Sequence, residues 1–201
     1  CSRHQVLFIA DEVITGFCRT GHWFALTHWG VEPDIVSFAK GVTSGYQPLG
    51  GIMVSREIKE AMDSVPPENR WMHAYTYSGH PTCCAVALKN LEIMERERLW
   101  ENAARMGTRL YEGLRQAFGD HANAGDIRGG KGLLAAVELV ADRATKAKFP
   151  PDRNVGERVR AEMIKRGVVT RIRGDTVFFA PPLVVTEAQV DRLIAVTHDA
   201  V

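Results

Sequence analysis

The chain has 201 residues, 45% of them apolar, and 25 Lys and Arg against 24 Asp and Glu give a formal net charge of +1. That is enough apolar material to bury a core in one large or two small domains, and with no block of like charge the composition gives no footing to a nucleic-acid or anionic-membrane partner. No apolar stretch reaches transmembrane length, and the four cysteines, Cys1, Cys18, Cys83 and Cys84, lack the C-x-x-C spacing of a metal clamp or redox pair, so they read as reduced packing residues of a cytoplasmic protein.

Three short apolar runs come first: "QVLFIA" (5–10), "DIVSFA" (34–39) and "LGGIMVS" (49–55). Runs without alternation predict strands buried on both faces, hence a parallel or mixed sheet covered by helices. The Gly- and Trp-rich stretch between the first two reads as a loop with a short helix. "SREIKEAM" is a short amphipathic helix capped by Ser55, and "PPENRWMHAYTYSGHP" is a Pro-bounded, polar and aromatic connection of the kind that carries function. From Thr82 to Phe118 the apolar spacing is helical, broken by a charged joint near residue 97 that marks a domain boundary, residues 1–97 on one side and 98–201 on the other. Beyond it, "DIRGGKGLLAAVELV" predicts two strand pieces around a Gly-rich turn, and "NVGERVRAEMIKRG" a helix closed by Gly167. "VVTRIRGDTVFFAPPLVVT" reads as a strand pair, and "TEAQVDRLIAV" as a helix opened by a capping box from Thr186 to Gln189. The second half is thus a small α+β unit beside an α/β first half.

The chemistry begins at "LFIADEVITGF". Asp11 and Glu12 close an apolar run, which fits the solvated end of a strand and also the acidic pair with which nucleotide hydrolases hold magnesium. The second reading needs a phosphate loop, and no G-x-x-x-x-G-K-[ST] occurs. In open α/β sheets ligands sit beyond the carboxyl ends of the strands. Asp11 ends the first run and Lys40 follows the second, 29 residues later, a fitting length for one crossover unit that sets both side chains on neighbouring strands facing one cleft. A structural ion pair between them is the plain alternative.

Four segments, "ADEVITGF", "AKGVTSGYQPLGG", "YTYSGHP" and "APPLVVT", stand in an order and at distances that resemble the class III, or omega-type, pyridoxal-phosphate-dependent aminotransferases. The resemblance covers essentially the whole chain. It implies fold type I, with part of the large-domain mixed or parallel sheet in residues 1–97 and the small C-terminal domain in residues 98–201. It also implies transfer of an amino group from an amine or omega-amino acid to a 2-oxo acid such as pyruvate, with pyridoxal 5'-phosphate as cofactor. On the matched positions, Lys40 would hold the cofactor covalently and move a proton during the reaction, and Asp11 would face its ring nitrogen. Val13, two residues on and so on the same strand face, would pack under the ring. Tyr75 and Thr76 would reach the cofactor of the other subunit of a homodimer, Thr76 at its phosphate, and Arg171 would receive a substrate carboxylate. Ile14, where some branches of the family carry Gln, leans toward the amine and omega-amino-acid:pyruvate group.

Plainer alternatives stand beside these roles. "YTYSGHP" alone is a surface turn stabilised by Ser78 and Gly79, and Arg171 alone is a solvated strand-edge arginine with Arg173 as competitor on the same face. A relative that isomerises or decarboxylates, as an aminomutase or decarboxylase does, has the same motifs around Lys40, and a non-catalytic scaffold could keep the fold. None of the seven histidines has metal-ligand spacing, and "GGKG" (129–132) is a turn. The family's N-terminal half normally supplies the phosphate cup and the aromatic stacked on the ring. Neither is found in this sequence, so it is expected to be a C-terminal fragment of a chain about twice as long.

Overall fold

The computed structural model describes all of residues 1–201, which form two compact units, Cys1–Arg98 and Leu99–Val201. Unit 1 carries a three-stranded sheet in the order β1 (Ile9–Asp11), β2 (Ile35–Phe38), β3 (Gly51–Val54). β1 runs parallel to β2 with Asp11 opposite Ser37, and β3 runs antiparallel to β2. The sheet is therefore mixed, as the sequence predicts, and the parallel pair directs Asp11 and the residues after Phe38 to the same edge. Asp34 ties the entry of both strands, accepting from the Phe8 amide on its carboxylate at 2.6 Å while its own amide donates to the Phe8 carbonyl at 2.9 Å.

The expectation of burial on both faces does not hold within this chain. Ile9, Ile52 and Val54 are exposed, because no layer formed by residues 1–201 covers them. The first run also yields a shorter strand than expected: residues 2–4 form a 3-10 turn closed by Gln5 in the left-handed region (φ 53°), and Val6 and Leu7 stay outside the ladder. The short helix between β1 and β2 is 3-10, Ala25–Trp29.

Helix α1 (Arg56–Ser64) is capped as predicted, the Ser55 hydroxyl accepting from the Ile58 amide. α2 (Pro81–Arg96) starts on a proline at its first position, where no intrahelical N–H is needed. The charged joint ends it, and α3 (Leu99–Phe118) opens unit 2.

In unit 2, strands β4 (Ala124–Arg128), β5 (Ala135–Leu139), β6 (Arg171–Arg173) and β7 (Thr176–Phe179) make an antiparallel sheet ordered β4-β5-β7-β6. Its inner face packs with α3, α4 (Val155–Lys165) and α5 (Glu187–Ala200), and Met106, Leu110, Leu114 and Phe118 of α3 form one buried stripe at helical spacing. The capping box on α5 is complete, with Thr186 and Gln189 bonding each other's backbone amides. Gly156 of α4 approaches the β6–β7 turn so closely that a Cβ would lie 1.9 Å from the Gly174 carbonyl oxygen.

On the outer face of β5, Glu138 accepts from the Lys148 ammonium and from Arg128 at 2.8 Å. Lys148 first and Arg128 second pull its carboxyl from an ordinary 4.5 down to about 2. A carboxyl depressed in the folded state contributes stability that is complete above its unfolded value and fades as pH falls toward the folded one. Glu138→Gln is therefore expected to lower stability at neutral pH, with the difference from the parent shrinking between about pH 4.5 and about pH 2. Urea unfolding across that range measures it, and a difference independent of pH would contradict it.

Candidate active site

The edge reached by β1 and β2 is built from short local devices. Asp11 is exposed and uses one carboxylate oxygen: Oδ1 accepts from the Ser37 hydroxyl and from the Val13 amide, each at 3.1 Å. Oδ2 accepts nothing from the protein, so a second donor can approach it from the open side. Val13 is not on the strand face the sequence suggests. β1 stops at Asp11, and Val13 begins the turn that follows, tied to Asp11 through its own amide. What joins the two residues is an Asx-type bond rather than strand periodicity.

Lys40 likewise lies two residues past the end of β2 and opens a 3-10 turn, Lys40–Thr43. Its φ of 42° is in the left-handed region, uncommon for a side-chain-bearing residue. The side chain is exposed and its amine makes no hydrogen bond or ion pair, with Asp11 or with any other group. The paired-charge alternative thus has no contact to rest on. A free primary amine and a half-used carboxylate on one sheet edge fit a cofactor bearing an aldehyde and a protonated ring nitrogen.

Behind these two lie Glu12, which the sequence offers beside Asp11 as the solvated end of a strand but which is buried, and a second residue to which the sequence gives no role. Glu12 is only 2% exposed. Oε1 accepts from the Leu26 amide at 3.0 Å, Oε2 accepts from the Thr15 hydroxyl, and the Glu12 amide donates to the Ser37 carbonyl at 2.9 Å. Its carboxylate therefore folds the 13–30 loop onto the strand end, and both its oxygens are engaged by the protein. The available signal was alternation: if Asp11 faces out, its neighbour faces in. In the same loop, Phe17 packs edge-on against Phe24 and Phe38.

Asn90 is that second residue. From α2 its amide nitrogen donates to the carbonyls of Gly41 (2.9 Å) and Val42 (3.0 Å), and its oxygen accepts from the Ser44 hydroxyl at 3.0 Å. An asparagine inside a helix is a weak helix former, and that was the only trace of it in the sequence. The turn is closed further on by Thr43, buried, whose hydroxyl donates to the Gln47 carbonyl at 2.6 Å.

Tyr75 and Thr76 are exposed on the 66–81 connection, in a turn closed by Ser78. The Tyr75 amide donates to the Ser78 hydroxyl at 3.0 Å, and the Ser78 amide donates back to the Tyr75 carbonyl at 2.9 Å. No hydrogen bond or ring contact joins either residue to Asp11, Val13 or Lys40; the Tyr75 ring meets His73, which stacks on Trp71. Arg171 belongs to unit 2, exposed on β6 opposite Phe178, with Arg173 exposed two residues on and neither in an ion pair.

An amine-bearing turn and a carboxylate thus stand at the carboxyl edge of a parallel strand pair in an α/β chain. The model of the Aminotransferase class-III family matches residues 1–201, and the chain belongs to that family of pyridoxal-phosphate-dependent transaminases. It is 42% identical over 203 residues to the diaminobutyrate–2-oxoglutarate transaminase of Halomonas elongata, covering 100% of this chain and 43% of that protein. It is 40% identical to the putrescine–pyruvate aminotransferase of Pseudomonas aeruginosa, over 98% of this chain and 42% of that one. Among solved structures, the (S)-enantioselective omega-transaminase of Thermomicrobium roseum superposes with a TM-score of 0.94 at 48% identity, over 99% of this chain and 44% of that one. The omega-transaminase of Pseudomonas jessenii in complex with PMP gives 0.93 at 42%, over 100% and 44%. The chain thus spans less than half the length of these relatives. No helix is long and apolar enough to cross a membrane.

Proposed function

We propose that residues 1–201 belong to a cytoplasmic, homodimeric aminotransferase that uses pyridoxal 5'-phosphate to move an amino group from an amine or omega-amino acid to a 2-oxo acid such as pyruvate. In this reading residues 1–97 are part of the cofactor-binding domain and residues 98–201 are the small domain. The observation that carries the proposal is the unpaired Lys40 amine on the same sheet edge as an Asp11 carboxylate with one oxygen open. Relatives named for diaminobutyrate with 2-oxoglutarate and for putrescine with pyruvate support the substrate class. The structure in complex with PMP supports the cofactor.

When bound, pyridoxal phosphate supplies a ring that takes up the electron pair left as a substrate carbon loses its proton. Asp11 would accept a hydrogen bond from the protonated ring nitrogen on Oδ2 and keep that nitrogen charged; a hydrogen bond to a charged group contributes about 1.5–3 kcal/mol. Lys40 would hold the cofactor covalently between turnovers and, once displaced by the amine substrate, move the proton as a neutral base. Val13 would sit under the ring face. Tyr75 and Thr76 would serve the neighbouring subunit, with the Thr76 hydroxyl donating to the cofactor phosphate. Arg171 would pair with the carboxylate of the 2-oxo acid through a two-pronged guanidinium contact.

The test uses a polypeptide of the relatives' full length containing residues 1–201. Incubated with the cofactor, it should develop an absorbance that borohydride fixes onto Lys40, and it should form alanine from pyruvate with an amine donor. Labelling elsewhere, or no amino transfer across a donor panel, would overturn the proposal. In the same protein, Arg171→Ala should raise KM for pyruvate by roughly 10- to 150-fold, the equivalent of one such charged contact, and leave the half-reaction with a simple amine within about twofold of the parent, since a simple amine carries no carboxylate for the guanidinium. A larger effect from Arg173→Ala would transfer the role to that residue.

A further inference from the structure

We propose that Asn90 is a positioning residue for Lys40, holding the backbone of the turn on which the cofactor-bearing amine stands; the inference rests on the role given to Lys40 above. Lys40 is in the left-handed region, and a residue with a side chain stays there only when its surroundings determine it. Those surroundings can be named. Ahead of the turn Ala39 is extended, and after it Gly41 is pressed against Phe17, so that a Cβ on Gly41 would lie 3.0 Å from the Phe17 Cβ. Backbone bonds close the turn, the Val42 amide donating to the Ala39 carbonyl and the Ser44 amide to the Gly41 carbonyl, each at 3.2 Å, but none of them fixes the Val42 carbonyl. Asn90 does: a single amide nitrogen donates to two successive carbonyls, Gly41 and Val42, and its oxygen takes the Ser44 hydroxyl.

The Gly41 carbonyl has a second donor in the Ser44 amide at 3.2 Å, whereas the Val42 carbonyl has no other protein donor. The clamp comes from a helix some fifty residues downstream, so it ties the turn to a rigid element rather than to its own loop. The direction of the Cα–Cβ bond of Lys40 follows from its φ. If the turn relaxes toward the ordinary negative region, the long side chain swings with it and its amine spends less time where it can meet an aldehyde carbon.

The experiment again uses the full-length protein. Asn90→Asp keeps the shape and the acceptor for Ser44 but turns an oxygen toward the two carbonyls in place of the donor; Asn90→Ala removes the donor with no new charge and a better helix former. Lys89→Ala perturbs the neighbouring exposed position of α2 and serves as the control. Apo protein is mixed with pyridoxal 5'-phosphate, and the rate at which the lysine-bound absorbance grows is followed, together with the fraction fixed on Lys40 by borohydride. Both Asn90 variants should slow attachment at least tenfold and lower kcat with KM for the amine within twofold, while Lys89→Ala stays within twofold on all measures. Attachment by Asn90→Ala at the parent rate would overturn the proposal, and so would an equal loss in Lys89→Ala. If the parent protein is labelled at a lysine other than Lys40, or Lys40→Ala still captures the cofactor, the role of Lys40 itself fails. A parent labelled at Lys40 with unaffected Asn90 variants leaves that role standing and removes only Asn90.

Discussion

Lys40→Ala in the full-length protein is expected to abolish covalent capture of pyridoxal 5'-phosphate and to lower transamination by about 10⁴-fold or more, the scale of losing a positioned base and a covalent anchor together. The expectation rests on the absence of a substitute. Within Cys1–Arg98 the only other lysines are Lys59 and Lys89. They stand on α1 and α2 and are engaged with Asp63 and Glu92. Neither follows a strand of the sheet, and neither has the unpaired amine found at Lys40. The substitution should leave the fold intact: Lys40 is exposed, and the 3-10 turn is held by backbone and Asn90 contacts that do not involve its side chain. Absorbance after cofactor addition, borohydride labelling with peptide mapping, and alanine formation from pyruvate are the three readouts. Turnover within tenfold of the parent would remove Lys40 from the chemistry.

Local chemistry explains which features could be read in advance. Ser55 as a cap, the box of Thr186 and Gln189, the charged break after Arg96 and the turn at Gly129 to Gly132 each depend on neighbours within a few positions, and each is found where the pattern puts it. The strand ends were harder. An apolar run reports which residues avoid water, not where the ladder stops, so "QVLFIA" gives a strand that starts at Ile9 and runs one residue past the run, and the even spacing from Asp11 to Val13 does not make a shared strand face. The packing behind the site was beyond the sequence for a different reason: Glu12 reaches Leu26, and Asn90 reaches Gly41 and Val42 across nearly fifty residues. Pair contacts at that separation leave no periodicity. Tyr75, Thr76 and Arg171 enter through motif resemblance alone: all three are exposed, and the contact of the Tyr75 ring with the nearby His73 points to no site.

Asp11→Asn should retain the cofactor and the fold but slow the amine half-reaction by about 100-fold or more. The geometry of the carboxylate gives the reason. Oδ1 is fixed by the Ser37 hydroxyl and the Val13 amide, both donors, so the carbonyl oxygen of an asparagine takes that place and its NH₂ falls where Oδ2 was. An acceptor is thereby replaced by a donor on the side where, in the proposed reading, the ring nitrogen would lie. A protonated ring nitrogen placed there would lose its bond to a charge, a contact of about 1.5–3 kcal/mol in itself. Without that charge a bound ring would be a poorer acceptor of the electron pair, so the loss would fall on the proton-transfer step assigned to Lys40. Thermal stability should change little, because the residue is exposed and its two hydrogen bonds survive. The measurement is a single-turnover half-reaction with an amine donor, with cofactor content determined on the same sample. An unchanged rate at full cofactor content would show that Asp11 faces no ring nitrogen, and a loss of cofactor without a loss of rate per bound cofactor would make it an anchor rather than part of the chemistry.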